Sequence, residues 1–271
     1  MTKLRKRIAT HAVGNVLELA IGTGRNLQYY DWEPLMEVAN ILQQQQQPQQ
    51  YTGNQSTNDR LYQSLKAKAK AESGITSFTG LDISVDMLEV ARRHLIEHIP
   101  SLAETTPLAN SATMTDRIGG QLTYLANRLR LVQSDALHEL PPPPHLPSTA
   151  TATATATIDT RYDTIIQTFG LCSVSDPVRV LRNLASAVKP ETGRIILLEH
   201  GRGGYGVVDG LLDKNAAKHY AKYGCFWNRD IEELVDEAVT KTPGLEVVRV
   251  EHPGFLQLGT LTWIELKMVD Q

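Results

Sequence analysis

The chain has 271 residues, 41% of them hydrophobic and 21% charged, with a formal net charge of −3. That length carries one domain, residues 1–271, with a full core, and the near-neutral charge gives no electrostatic reason to expect nucleic acid as a partner. No apolar run approaches the roughly 18–20 residues that cross a bilayer, and Cys172 and Cys225, the two cysteines, show no C-x-x-C spacing, so neither a disulfide framework nor a metal is expected.

The first dozen residues, MTKLRKRIATHA, are basic without an acid and read either as a fragment of a presequence or as a basic helix end. Residues 16–27, VLELAIGTGRNL, follow as an apolar strand that delivers Glu18 and Ala20, then turns through Gly22, Thr23 and Gly24 toward an expected helix. Glycines in such a turn let bare backbone N–H groups approach a ligand. A dinucleotide fingerprint wants a third glycine where Leu27 stands, and Glu18, four positions before Gly22, repels a pyrophosphate. S-adenosylmethionine, with a sulfonium and an ammonium but no phosphate, fits this turn better.

The next core segment, Phe78 to Ile83, reads as a strand ending in Asp82. Ser84 is set to cap the following helix, whose apolar stripe is Met87, Leu88, Ala91 and Leu95. A carboxylate at that strand end accepts ribose hydroxyls in nucleoside-binding folds, with Ile83 or Met87 against the base; alternatively Asp82 only shapes a helix start. Leu129 to Gln133 is a third strand, followed by Asp135 and Ala136. Tyr162 to Thr168 is a fourth, ending at Phe169. Ser175-Asp176-Pro177 opens a helix, and Arg194 to Glu199 makes a fifth strand with His200 at its end. Residues 201–230 form a long link with glycines and aromatics. A helix from about Arg229 to Thr240 and two strands, Leu245–Glu251 and Thr260–Met268, close the chain as an antiparallel hairpin. Polar or repetitive stretches at about 33–74, 99–127 and 141–157 read as insertions forming mobile surface loops. They include Gln43 to Gln50 and a Thr/Ala repeat.

ELAIGTGRN resembles motif I of class I SAM-dependent methyltransferases, and SFTGLDISVDMLEVARRHL, RLRLVQSDALHELP and the KPETG helix end follow in that superfamily's order. The segments GTGRNLQYY, FGLCSV, LLEHGR and HYAKYGCFWNRDI are similar to fungal mitochondrial inner-membrane methyltransferase-like proteins and their membrane-associated animal relatives, some of which methylate thiols. Ubiquinone/menaquinone-biosynthesis methyltransferases are more distantly alike. The resemblance implies a Rossmann-like, doubly wound, mostly parallel seven-stranded α/β sheet in the order 3-2-1-4-5-7-6. It implies S-adenosyl-L-methionine as cofactor, with Glu18, Ala20, Gly22, Thr23, Gly24 and Asn26 at its methionine end, Asp82 at its ribose and Asp135 with Ala136 at its adenine; Ile83 or Met87 would lie against the adenine, and Phe169 would line the same crevice. It also implies a mitochondrial location, with cytoplasmic the alternative, and a helix ahead of the first strand that packs over the cofactor. The chain begins only about a dozen residues before that strand, so it lacks this cover or is truncated.

Methyl transfer from a sulfonium asks the protein to align an acceptor and exclude water; a base is required only for an acceptor that must lose a proton. His200 is the candidate base by position, against a purely structural histidine. Cys172, Ser173, Tyr205, Cys225 and Trp227 mark the acceptor side. The expected activity is methylation of a small or lipophilic acceptor, such as a thiol or a quinone precursor, with peripheral membrane association compatible. The alternatives are a catalytically silent member of the same fold assisting mitochondrial complex assembly, and a nucleotide-dependent oxidoreductase, against which Leu27 argues.

Overall fold

The computed structural model describes residues 1–46, 74–105, 107–110, 118–138, 140–144 and 160–270. Within them, strands β1 (Gly14–Leu19), β2 (Ile75–Asp82), β3 (Leu108–Asn110), β4 (Ile118–Tyr124), β5 (Leu129–Ser134), β6 (Thr164–Thr168), β7 (Arg194–His200), β8 (Leu245–Glu251) and β9 (Leu261–Met268) share one sheet. Its order is β3-β4-β5-β2-β1-β6-β7-β9-β8. The run β5-β2-β1-β6-β7 is parallel, and β9 and β8 add antiparallel at one edge. Counting β5, β6, β7, β8 and β9 as the third to seventh core strands gives the expected 3-2-1-4-5-7-6.

Strand alternation sorts side chains to two cores. Val16, Ile166, Ile196 and Leu198 face one layer with Ile8, Leu35, Ala91 and Leu95 from helices α1 (Thr2–His11), α2 (Glu33–Gln46) and α3 (Val85–His98). Leu17, Leu19, Ile165, Ile195 and Leu197 face the other, with Val180, Leu181 and Leu184 of α4 (Pro177–Ala187) and Ile231 and Val235 of α6 (Ile231–Lys241). Helix starts follow the local chemistry: the side chains of Ser84, Asp176 and Asp230 accept from the N–H groups of Met87, Arg179 and Glu233.

Several sequence expectations are corrected. The segment from 33 opens with α2 rather than a loop, because Leu35, Ala39 and Leu42 recur at helical spacing and are buried, a stripe masked by the glutamines that follow. The stretch 99–127 contributes β3 and β4, which pair antiparallel onto β5 and extend the sheet to nine strands. The chain does have a helix ahead of β1: α1 buries Ile8 completely. No α-helix follows Gly24 directly; the backbone passes through turns and a 3₁₀ segment, Leu27–Tyr29, before α2, whose first turn holds Pro34 and is preceded by Asp31 accepting from Glu33 N–H. The link at 201–230 is largely helix α5 (Gly206–Tyr223), with no buried residue. Most of the glutamine tract and the Thr/Ala repeat lie outside the described residues. No helix among the described residues is long and apolar enough to cross a membrane.

Candidate active site

The carboxyl ends of β1, β2, β5 and β6 converge where the chain order reverses, the place at which open α/β sheets hold ligands. Gly22 and Gly24 have φ of +56° and +76°, and Ala20 is also left-handed at +51°. The two glycines differ in purpose. A Cβ on Gly24 would come within 2.5 Å of Leu27 Cδ1 and 3.2 Å of Ala91 Cα, so this glycine lets the turn press against α3. A Cβ on Gly22 would meet only Ala20 O at 3.9 Å, so its open side faces free space. Asp82 accepts from Gly22 N–H at 2.8 Å and from Ser84 N–H at 2.9 Å, tying the turn to the end of β2. Its carboxylate retains acceptor capacity beyond these two bonds.

Glu18 lies behind the turn with 1% exposure. Asn26 Nδ2 and Tyr30 Oη donate to its two oxygens, each at 2.8 Å, and Arg5 of α1 donates in turn to Asn26 Oδ1. Burial raises the Glu18 pKa to about 7 despite those bonds and the nearby Arg5. Burial likewise pushes Tyr30 up and lowers Arg5. Arg5 was not singled out in the sequence; its only signal there was the basic run of the N-terminus.

Ile83 and Met87 are exposed beside Asp82, and Gln133 Nε2 donates to Ile83 O. Asp135 accepts from Leu137 N–H at 3.0 Å, and Asn183 of α4 holds Ala136 O at 2.8 Å. Thr23 O contacts His94 Nδ1 at 2.7 Å. Phe169 is left-handed at φ +56° and donates its N–H to Leu198 O. Next to it, Gln167 is fully buried, and neither atom of its amide has a hydrogen-bond partner among the described residues. A Cβ on Gly170 would strike that amide. An unfilled glycine face held by Asp82, whose carboxylate keeps acceptor capacity, with Glu18 buried behind it, suits a cationic nucleoside without phosphate, so these residues fit the expected cofactor.

Beyond Phe169, Glu199 is completely buried and accepts from Gly170 and Leu171 N–H at 3.0 and 3.2 Å; burial raises its pKa to about 8. His200 stacks obliquely on Phe169, ring centroids 5.2 Å apart, and its Nε2 lies 3.0 Å from Cys225 Sγ. Burial, then the neighbouring His219, lowers the His200 pKa. Cys172 and Cys225 are both buried, and burial pushes both thiols up. Cys172, His200 and Cys225, from three separate segments, offer donor atoms within 4.8 Å of one another. Ser173 is exposed beside Cys172. Tyr205 is exposed at the start of α5, while Trp227 stacks on His219 at 3.8 Å and Tyr220 on Phe226 at 4.0 Å. The aromatic side chains of the link thus largely pin α5 to the turn after it. A groove of about 1080 Å³ between α4 and α6 is lined by none of Glu18, Asp82, Asp135 or His200 and is not this site.

Sheet order, glycine turn and paired strand-end acids define a Rossmann-like methyltransferase domain. The chain belongs to that family: the profile described as "Methyltransferase domain" matches residues 1–248. The expected cofactor, S-adenosylmethionine, agrees with this membership. Over 261 residues the chain is 30% identical to the mitochondrial methyltransferase OMS1 of Saccharomyces cerevisiae, an alignment covering 96% of this chain and 39% of that protein. The chain therefore spans about two fifths of that relative's length. Among solved structures it is similar to an O-methyltransferase family protein from Burkholderia thailandensis, with TM-score 0.51 at 12% identity over 99% of this chain and 56% of that one. It is also similar to the 4+2 cyclase SpnF, with TM-score 0.50 at 14% identity over 99% and 82%. At such identities these two matches speak for the fold alone.

Proposed function

We propose that this chain is an active S-adenosylmethionine-dependent methyltransferase whose acceptor is small or lipophilic, a thiol or a quinone precursor, and that it works in mitochondria. The observation that carries the reading is the open face of Gly22 held by Asp82, with Glu18 buried directly behind the turn. When bound, S-adenosylmethionine supplies a methyl group already activated on a sulfonium. Ala20, Gly22, Thr23 and Gly24 form the turn at its methionine end, and Glu18, bonded to Asn26 and Tyr30, lies buried behind that turn. Asp82 takes the ribose, Ile83 and Met87 flank the adenine, and Asp135, Ala136 and Phe169 complete its pocket. Cys172, Ser173 and Cys225 stand on the acceptor side, with Tyr205 and Trp227 at its rim.

The protein's contribution is alignment and exclusion of water, since the leaving group requires no further activation. His200 is the candidate base for an acceptor that must lose a proton, and its Nε2 lies 3.0 Å from the Cys225 thiol. The mitochondrial location draws on the likeness to the yeast protein. The test is calorimetry with S-adenosylmethionine and its demethylated product on the wild-type chain and on Asp82→Ala. Wild-type binding and loss of most of it in the variant, with the fold retained, supports the reading; equal affinity of both proteins refutes the ribose assignment. Binding without turnover on thiol or quinol acceptors would favour a silent member of the fold.

A further inference from the structure

The sequence places Cys172, His200 and Cys225 in three separate segments: the turn after β6, the end of β7, and the second residue past the end of α5. The fold brings them together. Their donor atoms all lie within 4.8 Å of one another, with His200 Nε2 and Cys225 Sγ 3.0 Å apart. Cys172 is 1% exposed and Cys225 6%.

The three backbones are also locked to each other. Glu199, one residue before His200, accepts from Gly170 and Leu171 N–H and so fixes the turn that carries Cys172. Phe226 N–H donates to Cys172 O at 2.9 Å, joining the Cys225 segment to the same turn. His219 Nδ1 lies 2.9 Å from Cys225 O, and Gly224, left-handed at φ +65°, ends α5 so that Cys225 turns inward. Each donor-bearing segment is therefore held by a hydrogen bond that does not involve the donor atom itself.

From this geometry we infer that Cys172, His200 and Cys225 form a site for a single thiophilic cation, zinc being the fitting one. Two sulfurs and one imidazole nitrogen are a soft donor set of the kind zinc takes in tetrahedral sites. Metal–sulfur bonds of about 2.3 Å and metal–nitrogen bonds of about 2.0 Å at tetrahedral angles separate the donors by roughly 3.5–3.8 Å. His200 Nε2 and Cys225 Sγ stand slightly closer than that and all three donors lie within 4.8 Å, so side-chain shifts on the order of 1 Å close the shell. Three protein ligands leave a fourth position for water or an incoming group, the pattern of reactive rather than purely structural zinc. Phe169, which follows β6, contacts the His200 ring at 5.2 Å, so the cluster lies beside the carboxyl end of that strand. The inference stands on these three residues and is independent of cofactor binding.

The full chain is stripped with a chelator under reducing conditions and titrated with zinc, and in parallel with cobalt as a spectroscopic probe. The expected result is about one equivalent of zinc per chain, together with a tetrahedral cobalt spectrum and near-ultraviolet thiolate-to-cobalt charge transfer. Cys172→Ser and Cys225→Ser should each weaken the metal by about tenfold or more. Circular dichroism of the variants checks their fold; if one does not fold, the wild-type cobalt spectrum still decides. Absence of stoichiometric zinc, a cobalt spectrum without the charge-transfer band, or unchanged affinity in folded variants overturns the site. The calorimetric test of S-adenosylmethionine is separate, so failure of the metal site and failure of the methyltransferase reading give different results.

Discussion

Replacing Glu18 by Gln tests whether burial makes the neutral form of this acid better tolerated than its charge. Glu18 is 1% exposed, and burial raises its pKa from 4.5 to about 7. A carboxyl with a raised folded pKa binds more protons in the folded than in the unfolded state between those two values. Stability from this group is therefore full below about 4.5 and is lost as pH rises through about 7. At about 1.36 kcal/mol per unit, the loss across 4.5 to 7 is about 3 kcal/mol. Glutamine fits the same place: its carbonyl accepts from Asn26, and its amide donates to Tyr30, whose hydroxyl serves as acceptor. Glu199, with its pKa raised to about 8, adds a decline of its own that both proteins share, so the difference between them isolates Glu18. Urea denaturation of wild type and Glu18→Gln across that range should show the variant gaining about 3 kcal/mol relative to wild type as pH rises. A difference that stays constant with pH would refute the assignment of the buried charge.

Ala20→Gly relieves a left-handed alanine at φ +51° and should raise stability by about 1 kcal/mol, read as an upward shift in the melting temperature. Gly24→Ala should cost about 2 kcal/mol or more, because its Cβ meets Leu27 and Ala91 in addition to the backbone strain, and this is visible in denaturant midpoints. Gly22→Ala meets no close neighbour, so its stability loss should be limited to about 1 kcal/mol of backbone strain. Its larger effect should be on S-adenosylmethionine affinity in calorimetry; the reverse ranking of the two glycines would contradict the site. Arg5→Ala removes the hydrogen bond from α1 to Asn26 and should lower stability by about 1 kcal/mol. Faster limited proteolysis within residues 1–12 would report the loosened helix.

The linear pattern carried the parallel core because its determinants are local. Alternating residues such as Val16, Leu17 and Leu19 choose their faces by strand geometry, and Ser84 and Asp176 cap the helices that follow them. Gly22, Gly24, Glu18 and Asp82 were legible for the same reason: their spacing from a strand end fixes where they emerge. What misled was composition. Glutamines hid the buried stripe of α2, and a polar stretch hid β3 and β4, whose strand character comes from pairing with β5.

By itself, then, the sequence determined which segments form the core strands and where the glycine turn leaves β1, since both arise from periodicities a few residues long; the order of those strands in the sheet came from the family resemblance. Only tertiary structure decided that Arg5 reaches Asn26 behind that turn, that Gly24 is needed for packing while Gly22 is left open, and that Cys172, His200 and Cys225 meet. Those arrangements depend on how separate segments close over the sheet, and no short stretch of chain encodes the distance between them.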